Sequence, residues 1–266
     1  MFQEASILDS YELVSAKDAL AKIELDDSDS LSQQLYVTLR RLAVELVLLP
    51  NQFLSEKDVA SSFAISKTPV REAFIRLAED GVVRVMPKSG TYISPVDYQL
   101  AEEGFFIWGA LESSCAASLA EHRTFRDIST LREAVSNEMA AELRGDITAF
   151  RVANNGFHAT IFNLSDFPEA KRLTISARFE ADRVRNLLQL YRRVSMRHIV
   201  ACHSEIVNAI AAGDAKAAEA ALSGHIAEFS AAMHEMLKSE DFRLFHEFLN
   251  QKRMGKRRTR KTKETE

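Results

Sequence analysis

Apolar residues in the first third of the chain follow a helical spacing and then a strand spacing. Three helices are predicted: one over about residues 31–49, one beginning at the capping residue Ser55, and one capped by Thr68. Gly81 is expected to end the third helix in a left-handed conformation. The spacing then changes to every second residue around a turn, which indicates a β-hairpin. Three helices and a hairpin within residues 31–95 predict a winged helix-turn-helix.

Beyond this segment only helical periodicity remains. Six amphipathic helices are predicted, with a short last helix near residues 240–252; the six cover residues 99–122, 126–143, 146–164, 168–192, 195–212 and 215–238. Two of the breaks pair a helix-ending glycine with an aspartate that can cap the next helix, Gly145-Asp146 and Gly213-Asp214. Short loops between amphipathic helices predict an antiparallel all-α bundle over residues 98–250, so the fold class is mostly α.

Charge is distributed unevenly along the chain. Residues 1–30 carry eight acidic side chains against two lysines and are predicted to be a mobile acidic arm. Residues 251–266 carry eight basic side chains against two glutamates and are predicted to be a disordered basic tail. The two cysteines are too few for a disulfide framework and suit a reducing cytoplasm. No apolar run predicts a membrane span, and no secretion leader is predicted.

The start of the third predicted helix carries side chains suited to reading DNA. A recognition helix enters the major groove with its N-terminal end, where donors meet base edges and phosphates. Surface lysines and arginines are ordinary, however, and the segment carries only a weak excess of positive charge. The candidate DNA-binding residues are Lys57, Ser66, Lys67, Thr68, Arg71, Lys88 and Gly90, of which the last two lie at the tip of the hairpin.

These residues also carry a family resemblance. The stretches 54–60, 65–73, 81–83 and 90–93 resemble the N-terminal domain of GntR-family transcription regulators, above all through Ser-Lys-Thr-Pro-Val-Arg-Glu-Ala at residues 66–73. The resemblance implies a homodimer that binds a palindromic DNA operator. Lys57 and Lys67 stand where the family usually has arginines. They keep the charge but lack the bidentate fork that suits guanine.

Histidines in the predicted bundle form a candidate metal site. Asn154 and His158 lie four residues apart and therefore share one helix face, while His203 and His225 lie eleven residues on either side of Asp214. Three imidazoles and one oxygen ligand suit Zn²⁺ or Ni²⁺. The alternative is that these are ordinary surface or core histidines of amphipathic helices.

A second resemblance favours the metal site. Residues 154–161, 203–214 and 225–226 resemble the all-helical effector-binding (FCD) domain of the FadR-type branch, in its six-helix VanR-like variety. That resemblance implies a divalent metal on one aspartate and three histidines, beneath a carboxylate or similar small effector. His158, His203 and His225 match the histidines, and Asn154 stands in place of the aspartate. Trp108 stands where an arginine that faces the effector is usual, and it is either an effector-binding residue or plain core.

Three functional hypotheses follow from these patterns. The first is a metabolite-responsive repressor in which an anionic effector and the metal bind cooperatively, because neutral ligands leave the charge of the metal uncompensated. The second is a metal-dependent hydrolase, for which Glu205 is the only acid close in sequence to a predicted ligand. The third is a DNA-binding protein whose C-terminal domain only dimerises. The first is the leading hypothesis. An enzyme would not need the attached DNA-binding segment, and metal content and thermal shift against metabolites would separate the first hypothesis from the third.

Overall fold

The computed structural model describes residues 29–190, 194–240 and 242–244, together with residues 19, 20, 23 and 25. They fall into two compact units, one extending to Val96 and including the residues from Leu237 onwards, the other Asp97–Met236. The predicted basic tail and nearly all of the predicted acidic arm lie outside the described residues. Of the helix predicted near residues 240–252, only residues 240 and 242–244 are described, and they are helical.

The first unit is a winged helix-turn-helix, as predicted. Its elements in chain order are α1 Leu31–Val44, β1 Phe53–Leu54, α2 Glu56–Ser62, α3 Lys67–Glu79, β2 Val83–Met86 and β3 Gly90–Ile93. The predicted hairpin is β2–β3, and β1 adds a third antiparallel strand beside β3, which the alternation of apolar residues did not predict because β1 has two residues. α1 packs on α3 through apolar side chains that are fully buried, Leu35, Leu39, Val70 and Leu77.

The helix ends in this unit are those predicted from the sequence, with one exception. The Ser55 hydroxyl accepts a hydrogen bond from the Asp58 amide and caps α2, and Gly81 is left-handed with φ 71°. The prediction that Thr68 caps the third helix was wrong, because α3 begins at Lys67 and Ser66 is its N-cap. Pro69 still fits inside the first turn, where backbone amides have no helical acceptor.

The β2–β3 hairpin is the wing of this unit, and its packing requires a glycine at position 90. Its φ is 102°, a conformation that side chains strongly disfavour, and a Cβ at this position would lie 2.5 Å from the Phe53 ring. The ring of Phe53 in turn packs edge-on against Tyr92, which lies opposite it in the sheet. Gly90 therefore shapes the tip of the wing.

The second unit is the predicted all-helical domain. It contains α4 Tyr98–His122, α5 Phe125–Leu143, α6 Ile147–Leu164, α7 Pro168–Ala177, α8 Phe179–Leu190, α9 Met196–Ala212 and α10 Ala215–Lys238, which continues past the unit's last residue. Both glycine–aspartate breaks are confirmed. Gly145 and Gly213 are left-handed, and Asp146 and Asp214 accept hydrogen bonds from amides of the helices that follow them.

The single helix predicted over residues 168–192 is interrupted at Arg178, so the part of the chain described between residues 98 and 238 holds seven helices and not six. α4 contacts this interruption. A Cβ on Gly104 would lie 2.9 Å from the Ala177 carbonyl oxygen and 3.1 Å from the Ala181 Cβ. The close approach brings the start of α8 against α4. No helix in the described ranges has both the length and the apolar character that a membrane crossing requires.

Candidate metal centre and DNA-reading surface

The fold brings the three predicted histidines together inside the second unit. α6 supplies His158, α9 supplies His203 and α10 supplies His225, and each is at most 3% exposed. Their ligand atoms all lie within 4.8 Å of one another, and the Nε2 atoms of His203 and His225 are 3.0 Å apart. Zinc bound by nitrogens at about 2.0–2.1 Å needs them about 3.3 Å apart. The cluster therefore fits a divalent ion after small side-chain movements.

Two buried carboxylates hold two of these rings in position. Glu112 on α4 lies 2.8 Å from His158 Nδ1, and Glu138 on α5 lies 2.8 Å from His203 Nδ1. A carboxylate that accepts from Nδ1 fixes the tautomer and leaves the Nε2 lone pair free for a metal. His158 Nε2 has no hydrogen-bond partner among the described residues, and a buried unpaired nitrogen of this kind fits a metal ligand.

The protonation of the cluster also suits metal binding. Burial lowers the pKa of all three histidines well below the ordinary value, and the positive charge of Arg185 lowers it further. Neutral imidazoles coordinate without first losing a proton. Burial raises the pKa of Glu112 and of Glu138 to about 8. With a pKa of about 8, both carboxyl groups are largely protonated near pH 7, so they add little negative charge to the site before a metal binds.

Asn154 lies beside the histidines with both ends of its amide engaged. Its Nδ2 donates to Glu138 Oε1 at 3.2 Å, and its Oδ1 accepts from Arg185 Nη1 at 2.8 Å. Its oxygen, the atom that coordinates a metal, is therefore shared with a buried guanidinium.

Trp108 is fully buried and is surrounded by functional groups. Its indole NH donates to Glu112, and its ring lies beside Phe105 and Phe229. The guanidinium carbons of Arg178 and Arg185 lie 4.7 and 5.3 Å from the ring centroid. Two arginines therefore reach this region, Arg178 from just before α8 and Arg185 from within it, and both pair with Asp182, although α4 has a tryptophan where the resemblance implies an arginine.

Glu112, Glu138, Arg178 and Arg185 were missed as site residues by sequence reasoning. Glu138 carried a usable signal, because it stands in the buried stripe of α5 with Leu131, Val135 and Ala141. An acid in an apolar stripe needs a partner inside the protein. Glu205, the acid that the hydrolase hypothesis used, is exposed on the surface of α9.

A second group of candidate ligands lies at the surface of the same unit. His198 and Cys202 on α9 and Glu228 on α10 place their ligand atoms within 4.8 Å of one another. Burial and the charges of Glu228 and Glu205 raise the pKa of the Cys202 thiol to about 11. Cys202 is partly exposed, so its thiol is accessible from solvent.

The predicted DNA-binding residues lie in three places on the first unit. α3 and its N-cap supply four of them, α2 supplies one and the wing supplies two, and all seven are exposed: Lys57, Ser66, Lys67, Thr68, Arg71, Lys88 and Gly90. This placement agrees with a recognition helix whose N-terminal end is free to enter a groove.

Arg71 has a partner within the first unit. Its Nε donates to Glu56 Oε2 at 2.9 Å, with 62% and 39% of the two side chains exposed. An exposed ion pair of this kind contributes at most about 1 kcal/mol to stability. DNA can therefore replace the carboxylate at small cost.

Two family models match the chain. The model described as "Bacterial regulatory proteins, gntR family" matches residues 31–93, and the model described as "FCD domain" matches residues 104–228. The two matches cover the winged helix-turn-helix and most of the helical domain, including all three histidines of the buried cluster.

Similar proteins carry related descriptions. The "HTH-type transcriptional repressor RspR" of Escherichia coli K12 is 29% identical over 80% of this chain and 93% of its own. A regulator described as lying in an unstable DNA locus of Streptomyces ambofaciens is 31% identical over 73% of this chain and 81% of its own. The solved structure of E. coli McbR/YncC has a TM-score of 0.68 at 22% identity, covers 79% of this chain and 100% of its own, and supports the fold alone.

Proposed function

The chain belongs to the GntR family of DNA-binding transcription regulators and has an FCD C-terminal domain, and from this premise we propose that it is a metabolite-responsive repressor. Residues 31–95 read a palindromic operator, and residues 98–250 bind the effector and dimerise. The observation that carries the proposal is the buried cluster of three histidines, two of them held by carboxylates. The similar RspR is described as a repressor, which supports repression over activation.

Zn²⁺ is the proposed ion, with Ni²⁺ as the second choice. His158, His203 and His225 hold it, and Asn154 is the fourth candidate ligand. Once bound, the ion supplies a Lewis acid that attracts an oxygen of the effector. Asn154 can join the ion only if its oxygen gives up the hydrogen bond from Arg185. That exchange would free one guanidinium NH for an anion.

The proposed effector is a small carboxylate or similar anion. Arg185 is buried beside Asn154 and Trp108, where low polarity strengthens its attraction for a negative charge, and an anion would compete there with its present partner Asp182, 3.2 Å away. A guanidinium also binds a carboxylate through two parallel hydrogen bonds. Trp108 then contributes an apolar face to the bound molecule and holds Glu112 through its indole NH.

We expect the metal and the anion to bind cooperatively, each raising the affinity of the other by the same factor. A panel of small mono- and dicarboxylates is first tested by thermal shift on the zinc-loaded protein. The tightest ligand is then titrated calorimetrically into metal-free and zinc-loaded samples. Arg185→Met should weaken the anion strongly, while Arg185→Lys, which keeps the charge but loses the fork, should weaken it less. Equal affinities in verified metal-free and zinc-loaded protein would contradict the coupling, and no ligand binding in either sample would leave a domain that only dimerises.

We expect the full chain to be a dimer at micromolar concentration. A single winged helix-turn-helix domain buries too little surface to bind an operator tightly. Two such domains linked through their helical domains gain effective concentration. Large apolar side chains on α4, α5 and α6 are exposed by 68–78% and are available for such an interface: Phe106, Leu143 and Val152. Size-exclusion chromatography with light scattering measures the mass. A monomer that still bound a palindromic site tightly would be incompatible with this expectation.

A further inference from the structure

Side chains with three different donor types meet at the surface of the helical unit, outside the buried cluster. His198 and Cys202 lie four residues apart on one face of α9, and Glu228 faces them from α10. We propose that these three residues form a second divalent-metal site, open to solvent, which takes a thiophilic ion of the zinc class.

The distances between the three donors fit such an ion. His198 Nε2 lies 3.6 Å from Cys202 Sγ and 2.7 Å from the Glu228 carboxylate. With zinc–nitrogen bonds of about 2.0–2.1 Å and a zinc–sulfur bond of about 2.3 Å, tetrahedral geometry places nitrogen and sulfur about 3.6 Å apart. The histidine–carboxylate separation needs to open by about 0.7 Å to reach the corresponding nitrogen–oxygen separation.

The donor set selects the class of metal. Metal binding releases the proton of the Cys202 thiol to solvent, and the resulting thiolate together with the carboxylate matches the charge of a divalent ion. The sulfur favours Zn²⁺ over Mg²⁺ or Ca²⁺, which prefer oxygen ligands. The buried cluster, by contrast, offers only imidazole nitrogens and an amide oxygen. Only the exposed site would therefore give its metal a sulfur ligand, and spectroscopy detects a metal–sulfur bond.

The solvent exposure of the ligands allows the bound ion to exchange with ions in solution. The side chains of His198 and Glu228 are 52% and 50% exposed, so water completes the coordination and the ion equilibrates with the solution. A metal here would join α9 to α10, the same two helices that supply His203 and His225 to the buried cluster. The ordinary alternative is an exposed ion pair between His198 and Glu228, which gives Cys202 no role.

Cobalt titration of the full chain separates these possibilities. Co²⁺ replaces Zn²⁺ in such sites, and a bound thiolate gives an intense charge-transfer band that nitrogen and oxygen ligands do not give. In buffer with a phosphine reductant, we expect this band to saturate with one cobalt per chain bound at this site, counted in addition to any ion in the buried cluster. Added Zn²⁺ should remove the band, and an equal concentration of Mg²⁺ should leave it unchanged.

Variants assign the band to its ligands. Cys202→Ser should abolish it, whereas Cys115→Ala, which removes the other cysteine, buried in α4, should retain it. His198→Ala and Glu228→Gln should each lower the cobalt affinity at least about tenfold. Because both side chains are half exposed, we expect these variants to fold, and circular dichroism checks this. A wild-type protein without the band, a band that survives in Cys202→Ser, or an affinity unchanged in both other variants would overturn the proposal.

The outcome of the cobalt titration at the exposed site does not depend on whether the buried cluster has its proposed function. His203→Ala removes a ligand of the buried cluster and should keep the sulfur band, because the exposed site does not use that ring. If the buried cluster bound no metal at all, the band would still report on Cys202.

Discussion

Arg71→Ala is expected to weaken operator binding by about 1–3 kcal/mol, which is tenfold or more over most of that range. Arg71 is exposed on the first half of α3, and its partner in the free protein is the exposed Glu56. In the proposed docking its guanidinium meets a base edge or a phosphate, neither of which an alanine can bind. Lys67→Ala should weaken binding in the same direction. Fluorescence anisotropy on an operator selected from a random duplex pool measures both.

Arg76→Ala is the matched control for this prediction. Arg76 is an exposed arginine in the last turn of the same helix, with its guanidinium 4.2 Å from the Tyr36 ring centroid. We expect its loss to leave operator affinity close to that of the wild type. If Arg71→Ala folded normally and bound the operator like the wild type, the proposed docking of α3 would be wrong. A salt dependence reduced by about one unit of slope would assign Arg71 to a phosphate.

Loss of the buried metal is the second large effect that we expect. His203→Ala should abolish stoichiometric binding at the buried cluster, because it removes the nitrogen that lies 3.0 Å from His225. In the wild type, a metal held at a hundred times its Kd stabilises the folded state by about 2.7 kcal/mol, which a chelator removes. The variant should gain nothing from zinc. All samples carry Cys202→Ser so that only the buried cluster is measured.

Three further variants sharpen the measurement. Glu138→Gln keeps the shape of the residue that holds His203 and should lower zinc affinity by about 10–100-fold. His203→Gln preserves more volume than alanine if the latter folds poorly. His122→Ala removes an exposed ring bonded to its own helix and should change nothing. Metal analysis and thermal unfolding with and without chelator read out each case. Full zinc stoichiometry in both His203 variants would show that the cluster is not the metal centre.

Local rules accounted for most of the fold. Turn signals such as Gly213-Asp214 act within a few residues, so the sequence alone located them, and the structure confirms them. Strand β1 escaped prediction because a two-residue strand has no period and exists only by pairing with β3. The interruption at Arg178 also escaped, because no proline or glycine marks it. It coincides with the close contact between Gly104 and Ala177, which is a tertiary feature.

The sequence predicted only part of the metal site, because the rest of it also depends on tertiary contacts. His158, His203 and His225 could be named from the resemblance, and the structure brings them together. Glu112 and Arg185 could not, because each meets the cluster from another helix: Glu112 lies 46 residues from His158, and Arg185 lies 31 residues from Asn154. Helical periodicity predicts which face is buried. It does not say which buried faces meet.

The ion pair between Arg71 and Glu56 has a consequence for how the protein searches a genome. In the free protein Glu56 accepts a hydrogen bond from the Nε of this guanidinium, so DNA that binds this NH must first displace a tethered carboxylate. A random sequence offers little in return, whereas an operator offers a complete set of contacts. We expect the pair to shorten residence on non-operator DNA more than on the operator. We therefore expect Glu56 to compete with DNA for Arg71 and so to shorten the time that the protein spends bound at non-operator sites.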